Sequence, residues 1–350
     1  MKKISVLIPC YNEEENVREI AQALKEMFAR DLPRYDYDIL FIDNCSTDRT
    51  RVYLRQMCAE DRRIKAIFNA RNFGQFNSPY HGICQTDGDC TVSMCCDFQD
   101  PVELIPTFVA KWEEGYKIVS AIKTSSKENP FIYALRGIYY KMIRKMSDVE
   151  MIEQFTGFGL YDRDFVNILR DLHDPIPFMR GVVAEFGYKR CEVPYEQPQR
   201  RAGKTHNNFY TLYDATMLSV TSYTKVGLRL ATMVGFLLGL ASLGIAIFYL
   251  VMKLTHWYSF NAGMAPIVIG MFFLGAVQLC FIGLMGEYVL NINQRVMNRP
   301  LVIEEERLNF GPAQDRTPAP EASAAPAAVS APAETFPSGE PAAPESGDGA

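Results

Sequence analysis

Met94-Cys95-Cys96-Asp97-Phe98-Gln99-Asp100-Pro101 follows a short apolar run, Cys90–Met94. The run reads as a buried strand and the octapeptide as an acidic loop at its carboxyl end, where a metal ion and a diphosphate could sit. Outward from it, Ile4–Ile8, Asp38–Ile42, Lys65–Phe68 and Lys117–Ala121 also read as strands. Glu14–Ala29, Thr50–Glu60 and Val102–Glu114 carry helical periods. Strands alternating with helices predict an α/β fold, a mostly parallel sheet covered on both faces. Ligands of such sheets bind beyond the carboxyl ends of the strands. The polar clusters Pro9–Glu13, Asp43–Thr50, Arg71–Gly74 and Asp97–Pro101 all fall at those ends.

Two later runs, Ala231–Met252 and Ala262–Gly286, hold no charged residue. Each is long enough to cross a hydrocarbon layer of about 30 Å as a helix. Gly235, Gly239 and Gly244, with Gly270, Gly275 and Gly283, would permit close contact between them. The joining loop Lys253–Asn261 has one firm positive charge, whereas Lys225 and Arg229 precede the pair and Arg295 and Arg299 follow it. The positive-inside bias puts the loop outside and both long ends in the cytosol, a multi-pass protein of the inner (cytoplasmic) membrane. Asn207–Thr224 mixes aromatic and apolar residues with hydroxyls and reads as helices at a membrane surface, although a core-facing helix has the same spacing. The expected organisation is a catalytic domain at 1–206, surface helices at 207–227, a transmembrane hairpin at 228–290, a cytosolic juxtamembrane segment at 291–310 and an Ala/Pro/Glu-rich tail at 311–350 without the apolar content to fold.

The 36 basic and 41 acidic residues, a net charge of −5, give no footing for bulk nucleic-acid binding. Nine scattered cysteines form no Cys-x-x-Cys pair, which argues against zinc and fits reduced thiols in the cytosol.

At the first strand end, Tyr11 could stack on a base, and Glu13 could accept from ribose hydroxyls or simply begin a helix. At the second, Asp43 suits a base N–H, while Ser46 and Asp48 suit helix capping. Ile-Pro9-Cys-Tyr11-Asn-Glu13, then Ile-Asp43-Asn-Cys-Ser-Thr-Asp-Arg-Thr50, then Arg71-Asn-Phe-Gly-Gln75, then Asp97-Phe-Gln99-Asp100-Pro101 together resemble the family 2 glycosyltransferases. The likeness is greatest to the branch that loads polyprenyl phosphate, the dolichyl-phosphate mannosyltransferase and bactoprenol glucosyltransferase type. It runs in order from about residue 4 to 206 and on through the paired apolar runs.

That resemblance implies a GT-A-like, Rossmann-type domain that binds a nucleotide sugar, with a C-terminal transmembrane hairpin. It implies that Pro9, Tyr11, Glu13 and Asp43 hold the nucleoside and that Asp97 meets a metal-diphosphate, the cation being Mg²⁺ or Mn²⁺. Gln99 and Asp100 would line the donor and acceptor site. Arg200, Arg201 and Lys204 match a basic segment that meets phosphate just before the membrane; attraction to anionic lipid is a second use of the same charges.

Two positions differ from the family's pattern. Cys95 stands where an acid is usual, and Thr156-Gly157-Phe158-Gly159-Leu160-Tyr161-Asp162-Arg163 replaces a Gly-Asp-Phe-Arg-like stretch. A thiol is a poor ligand for a hard cation. A missing base matters less, because a phosphate-monoester acceptor with a second pKa of ~6 is already largely ionised at pH 7.

The expected activity is inverting transfer of a sugar from a nucleotide sugar, UDP-glucose-like by default, to undecaprenyl or another polyprenyl phosphate on the cytosolic face. Two alternatives are the same chemistry on a glycan or a phosphate-free lipid, and a non-catalytic membrane scaffold that binds nucleotide or sugar-lipid. The partners expected are donor, lipid acceptor and membrane; self-association stays open.

Overall fold

The computed structural model describes residues 1–124, 152, 154–175, 177–198, 217–218, 226–255, 264–297, 299–311 and 315. The expected surface helices (Met217, Leu218, Val226 and Gly227 apart) and the expected unfolded tail (Gly311 and Asp315 apart) therefore lie outside the described residues.

In chain order the elements are β1 (Lys3–Cys10), α1 (Val17–Asp31), β2 (Asp36–Asp43), α2 (Thr50–Glu60), β3 (Ile64–Asn69), α3 (Gly74–Gln85), β4 (Cys90–Ser93), a 3₁₀ turn (Val102–Leu104) leading into α4 (Ile105–Glu113), β5 (Ile118–Lys123), β6 (Phe155–Asp162), α5 (Arg163–Leu172), α6 (Met179–Glu185), β7 (Arg190–Tyr195), α7 (Val226–Thr255), α8 (Met264–Met297) and β8 (Glu304–Leu308). The sheet order is β7-β5-β6-β4-β1-β2-β3-β8. The central strands β4, β1, β2 and β3 run parallel, so their carboxyl ends share one edge. β6 and β8 enter antiparallel, making the sheet mixed rather than mostly parallel throughout.

Alternate residues of the central strands feed two cores. Ile4, Val6, Ile8, Ile39 and Phe41 face one, and Leu7, Leu40 and Ile42 the other. A strand buried on both faces must be apolar throughout, as these are. α1 closes the first core through Val17, Ile20, Leu24 and Phe28, a helical stripe that leaves its charges outside. Truncating Leu24, which is fully buried, to alanine would cost ~2–5 kcal/mol through lost transfer energy and the cavity left behind.

The strands read from sequence agree with the observed ones to within two residues at either end, but α3 was not among the expected helices. It carries Pro79 in its interior and buries a glycine, Gly82, against Leu7 and Ile42. A side-chain Cβ at Gly82 would stand 2.6 Å from a Leu7 methyl, so close approach, not propensity, places the helix there.

α7, 30 residues long, contains the first apolar run, and α8, 34 residues long, contains the second from Met264 onward; both are long and apolar enough to cross a membrane. Phe236 is 67% and Leu279 70% exposed, an apolar display that water does not favour. Among the described residues, an added Cβ at Gly235, Gly239, Gly244, Gly270, Gly275 or Gly283 would meet no atom of a neighbouring element within 4 Å. At the far end of α8, Arg295 Nη1 lies 3.1 Å from Asp174 Oδ1, tying the helix to the loop after α5. The chain then returns to the sheet as β8.

Candidate active site at the carboxyl ends of the parallel strands

The loops after β1 and β2 are built from each other. Asn12, at φ 56°, turns its N–H to Ser46 Oγ (2.8 Å), and its own Oδ1 accepts from the Thr47 N–H (2.8 Å). Glu13 N–H donates to Thr50 Oγ1 (2.9 Å), Glu14 N–H to Asp48 Oδ2 (3.1 Å), and Arg49 N–H to Glu14 Oε2 (3.0 Å). Backbone donors at the start of each helix are thus satisfied by the other loop's side chains, the work that capping residues do. Ser46 and Asp48 have this structural use.

Within that brace, Pro9 and Tyr11 stand half-buried at the end of β1. Glu13 Oε2 takes a 2.6 Å bond from the side chain of Asn16, the residue just before α1. Asp43 is fully buried. Its oxygens share the Ser46 N–H at 3.2 and 3.3 Å, and Oδ2 accepts from Arg51 Nε at 2.7 Å.

The loop after β4 folds around Asp100. Met94 N–H reaches the Leu7 carbonyl, continuing the ladder with β1 for one residue. Asp100 Oδ2 then accepts from the Cys95 N–H at 2.8 Å, Oδ1 from the Tyr195 hydroxyl on β7 at 3.2 Å, and Phe98 at φ 59° completes the reversal. Burial pushes the Asp100 carboxyl up to about 6, with Asp97 adding to the rise and the bonds from Cys95 and Tyr195 opposing it. Asp97 is buried and accepts from the Gln99 N–H at 3.2 Å.

Two buried thiols lie between the loops. Burial pushes Cys96 well up, and Glu13 and Asp97 add to it; burial does the same for Cys10, with Asp43, Cys96 and Glu13 adding. The structure therefore gathers Pro9, Tyr11, Glu13, Asp43, Asp97, Gln99 and Asp100 at neighbouring strand ends. Arg200, Arg201 and Lys204 lie outside the described residues.

As a ligand for Mg²⁺ or Mn²⁺, Asp97 fits. It offers carboxylate oxygen, and Mg²⁺ is commonly held by one or two carboxylates plus substrate phosphates. Cys95 does not fit: the Asp100 carboxylate beside it pushes the thiol well up, leaving it protonated and soft. Among the described residues no three His, Cys, Asp or Glu side chains converge on a cation.

The stretch Thr156–Arg163 belongs to the scaffold. Phe158 is buried edge-on to Phe108 and Tyr195. An added Cβ at Gly159 would lie 2.3 Å from the Val119 carbonyl oxygen, so only glycine passes there. Asp162 pairs with Cys90, at the opposite end of β4 from Asp97, where it caps α5 and accepts from Trp112 and Lys117.

Arg51, Tyr195 and Glu305 touch the site's carboxylates or each other and were not expected from sequence. Their partners are 8, 95 and 254 residues away, beyond any local spacing rule.

Residues 5–170 match the family model Glycosyl transferase family 2. The chain is 32% identical over 303 residues to "Uncharacterized glycosyltransferase YkcC" of Bacillus subtilis, covering 86% of this chain and 93% of that protein. It is 28% identical over 302 residues to the bactoprenol glucosyl transferase of Shigella phage SfII, covering 86% and 97%. A solved mannosyltransferase, PcManGT from Pyrobaculum calidifontis in complex with GDP-Man and Mn²⁺, superposes with a TM-score of 0.38 at 15% identity over 85% of this chain and 87% of that one. The chain belongs to glycosyl transferase family 2 and is a glycosyltransferase.

Proposed function

We propose that the enzyme transfers a hexose, with inversion, from a nucleotide sugar (UDP-glucose by default) to polyprenyl phosphate, undecaprenyl phosphate first, at the cytosolic membrane face. The observation that carries this reading is the return of the chain: two helices apolar enough to span a membrane are followed by a strand of the catalytic sheet itself. A site tethered to the helical pair on both sides suits an acceptor that cannot leave the bilayer. The bactoprenol glucosyl transferases among its relatives support the same acceptor class.

In this reading Pro9, Tyr11, Glu13 and Asp43 bind the nucleoside, and Asp97 would hold Mg²⁺ or Mn²⁺ against the diphosphate. The ion, when bound, would offset charge on that diphosphate. A lipid phosphate oxygen forms the new bond to the anomeric carbon while the carbon–oxygen bond to the nucleoside diphosphate breaks, the electron pair leaving with the nucleotide. The oxygen needs no base at pH 7, which agrees with Phe158 and Gly159 being scaffold. Gln99 and Asp100 shape the loop that carries Asp97. Arg200, Arg201 and Lys204 would meet the acceptor phosphate.

Purified full-length protein, given undecaprenyl phosphate and a panel of nucleotide sugars, should form a lipid-phosphate sugar from one of them. Transfer only to a glycan or to a phosphate-free lipid would remove the acceptor assignment.

A further inference from the structure

β8 has no part in the donor-binding reading, yet its side chains reach back over α2 and α3. Glu304 Oε1 lies 2.6 Å from His81 Nε2, Arg307 donates to Gln85 Oε1 at 2.9 Å, and Glu306 takes two bonds from Arg55. Glu305 Oε2 accepts from Arg51 Nη1 at 2.8 Å.

Arg51 is the junction. Nε goes to Asp43 at the end of β2 (2.7 Å), Nη1 to Glu305 on β8 (2.8 Å), and Nη2 to the Asn69 carbonyl at the end of β3 (2.6 Å). The guanidinium carbon lies 5.6 Å from the Phe68 ring centroid. A planar fork satisfies three fixed directions at once; a lysine ammonium on a flexible stem does not. The Asp43 side chain is fully buried and that of Arg51 only 17% exposed, so their attraction is poorly screened, while Glu305 at 40% is partly washed by solvent.

We infer that Arg51 is a positioning residue for the donor nucleoside, holding the Asp43 carboxylate in the orientation a base N–H needs, and that Glu305, on the strand after the apolar helices, keeps Arg51 in place. This rests on Asp43 being a nucleoside contact. Without Arg51 a buried carboxylate loses its cation and must turn toward water or take up a proton. Either change spoils the acceptor. The donor site is then incomplete in a chain that ends before β8, although no residue of β8 need touch the nucleotide.

The test uses the detergent-solubilised full chain and calorimetric binding of UDP, GDP, CDP and dTDP, the tightest for wild type being carried through the variants. Asp43→Asn and Arg51→Lys should each weaken binding about tenfold or more, since each removes a charge-assisted bond. Glu305→Gln should weaken it about two- to threefold, the scale of a half-exposed pair. The double variant Arg51→Lys/Glu305→Gln should bind as Arg51→Lys does, because contacting residues that act in series are not additive. In turnover assays the loss should appear in the donor KM far more than in kcat, a split that general loosening of the fold would not give. Wild-type affinity in Arg51→Lys beside a weakened Asp43→Asn would overturn the inference alone, as would an additive double variant. Unchanged affinity in Asp43→Asn, or no binding by any of the four nucleotides, would overturn the donor contact and the inference with it.

Discussion

The two flanks of the site hold their buried carboxylates in opposite ways. On the β2–β3–β8 side the partners include arginine cations: Asp43 has Arg51, and Glu304 has Arg307 together with the His81 ring. In the loop after β4 the partners are neutral: Asp100 has a backbone N–H and a tyrosine hydroxyl. Burial raises Glu304 too, but its His81 and Arg307 bonds outweigh it and hold the group down at about 2, while Asp100 sits at about 6. The first flank neutralises its charge internally and works as a frame. The second sets two buried carboxylates, Asp97 and Asp100, near one another, a negative potential that an incoming cation can meet.

The most severe way to break this contrast is Asp97→Asn. The two side chains have nearly equal volume, so the fold should survive. Turnover should fall by something on the order of 10²–10³, the scale for losing one preorganised transition-state contact. Full activity in that variant would mean that the negative flank is not where the diphosphate is met.

Tyr195→Phe tests whether the neutral partners of Asp100 matter. The change removes one hydroxyl and leaves Asp100 Oδ1 buried without it, which should cost about 1–3 kcal/mol of stability. Thermal unfolding measures this loss directly, and activity should fall less than in Asp97→Asn because Tyr195 only supports the loop.

The same contrast predicts opposite pH slopes. Glu304 has a depressed pKa in the folded state, so its stabilisation is present above its ordinary value of 4.5 and is lost as pH falls toward about 2. Asp100 has a raised one, so folding favours its proton and stability falls as pH rises from its ordinary 3.8 through about 6. Denaturation of solubilised protein from pH 2 to 7 should lose the acid-side slope in Glu304→Gln and the mid-range slope in Asp100→Asn. Identical profiles in both variants would erase the distinction between the flanks.

Much of the frame was legible because local rules set it. Buried strands such as Ile4–Ile8 must be apolar on both faces, and ligand-facing polar residues must follow them. The position of Tyr11, Glu13, Asp43 and Asp97 at the strand ends was legible for the same reason. What escaped was long-range. Gly82 packs α3 by a close approach that looks like a helix breaker in sequence, and Glu304-Glu-Glu-Arg-Leu308 shows no period-2 alternation, since its acids are matched by Arg51, Arg55, Arg307 and His81. An edge strand held by charge pairs gives no hydrophobic signal.

Cys95 should matter little by itself. Both its N–H and its thiol bond Asp100, and serine keeps both donors at nearly the same size, so Cys95→Ser should retain activity to within about twofold. Cys95→Asp should instead tighten the apparent metal requirement, because it adds a hard oxygen next to Asp97. Metal titrations of turnover separate the two. Loss of activity in Cys95→Ser with Asp97→Asn intact would move the chemistry to the thiol.

The smallest effect is expected at the chain's end, and its position follows from the last described contacts. Phe310 lies under Lys65 and Arg307, and its N–H donates to Asp315 Oδ1 at 2.7 Å. A stop placed after Asp315 keeps β8, the Asn309 side-chain bonds to the Cys58 and Ile64 carbonyls, and that closing turn. The residues it removes are dominated by Ala, Pro and Glu, a composition expected to contribute little to a packed core. Transfer activity and the donor KM should therefore match the full chain within error. A stop after Met297 removes β8 with Glu305, and should raise the donor KM at least as much as Glu305→Gln does. If both truncations behaved alike, the cation-paired flank would not depend on the returning strand, and the frame would have to be sought in β1–β3 alone.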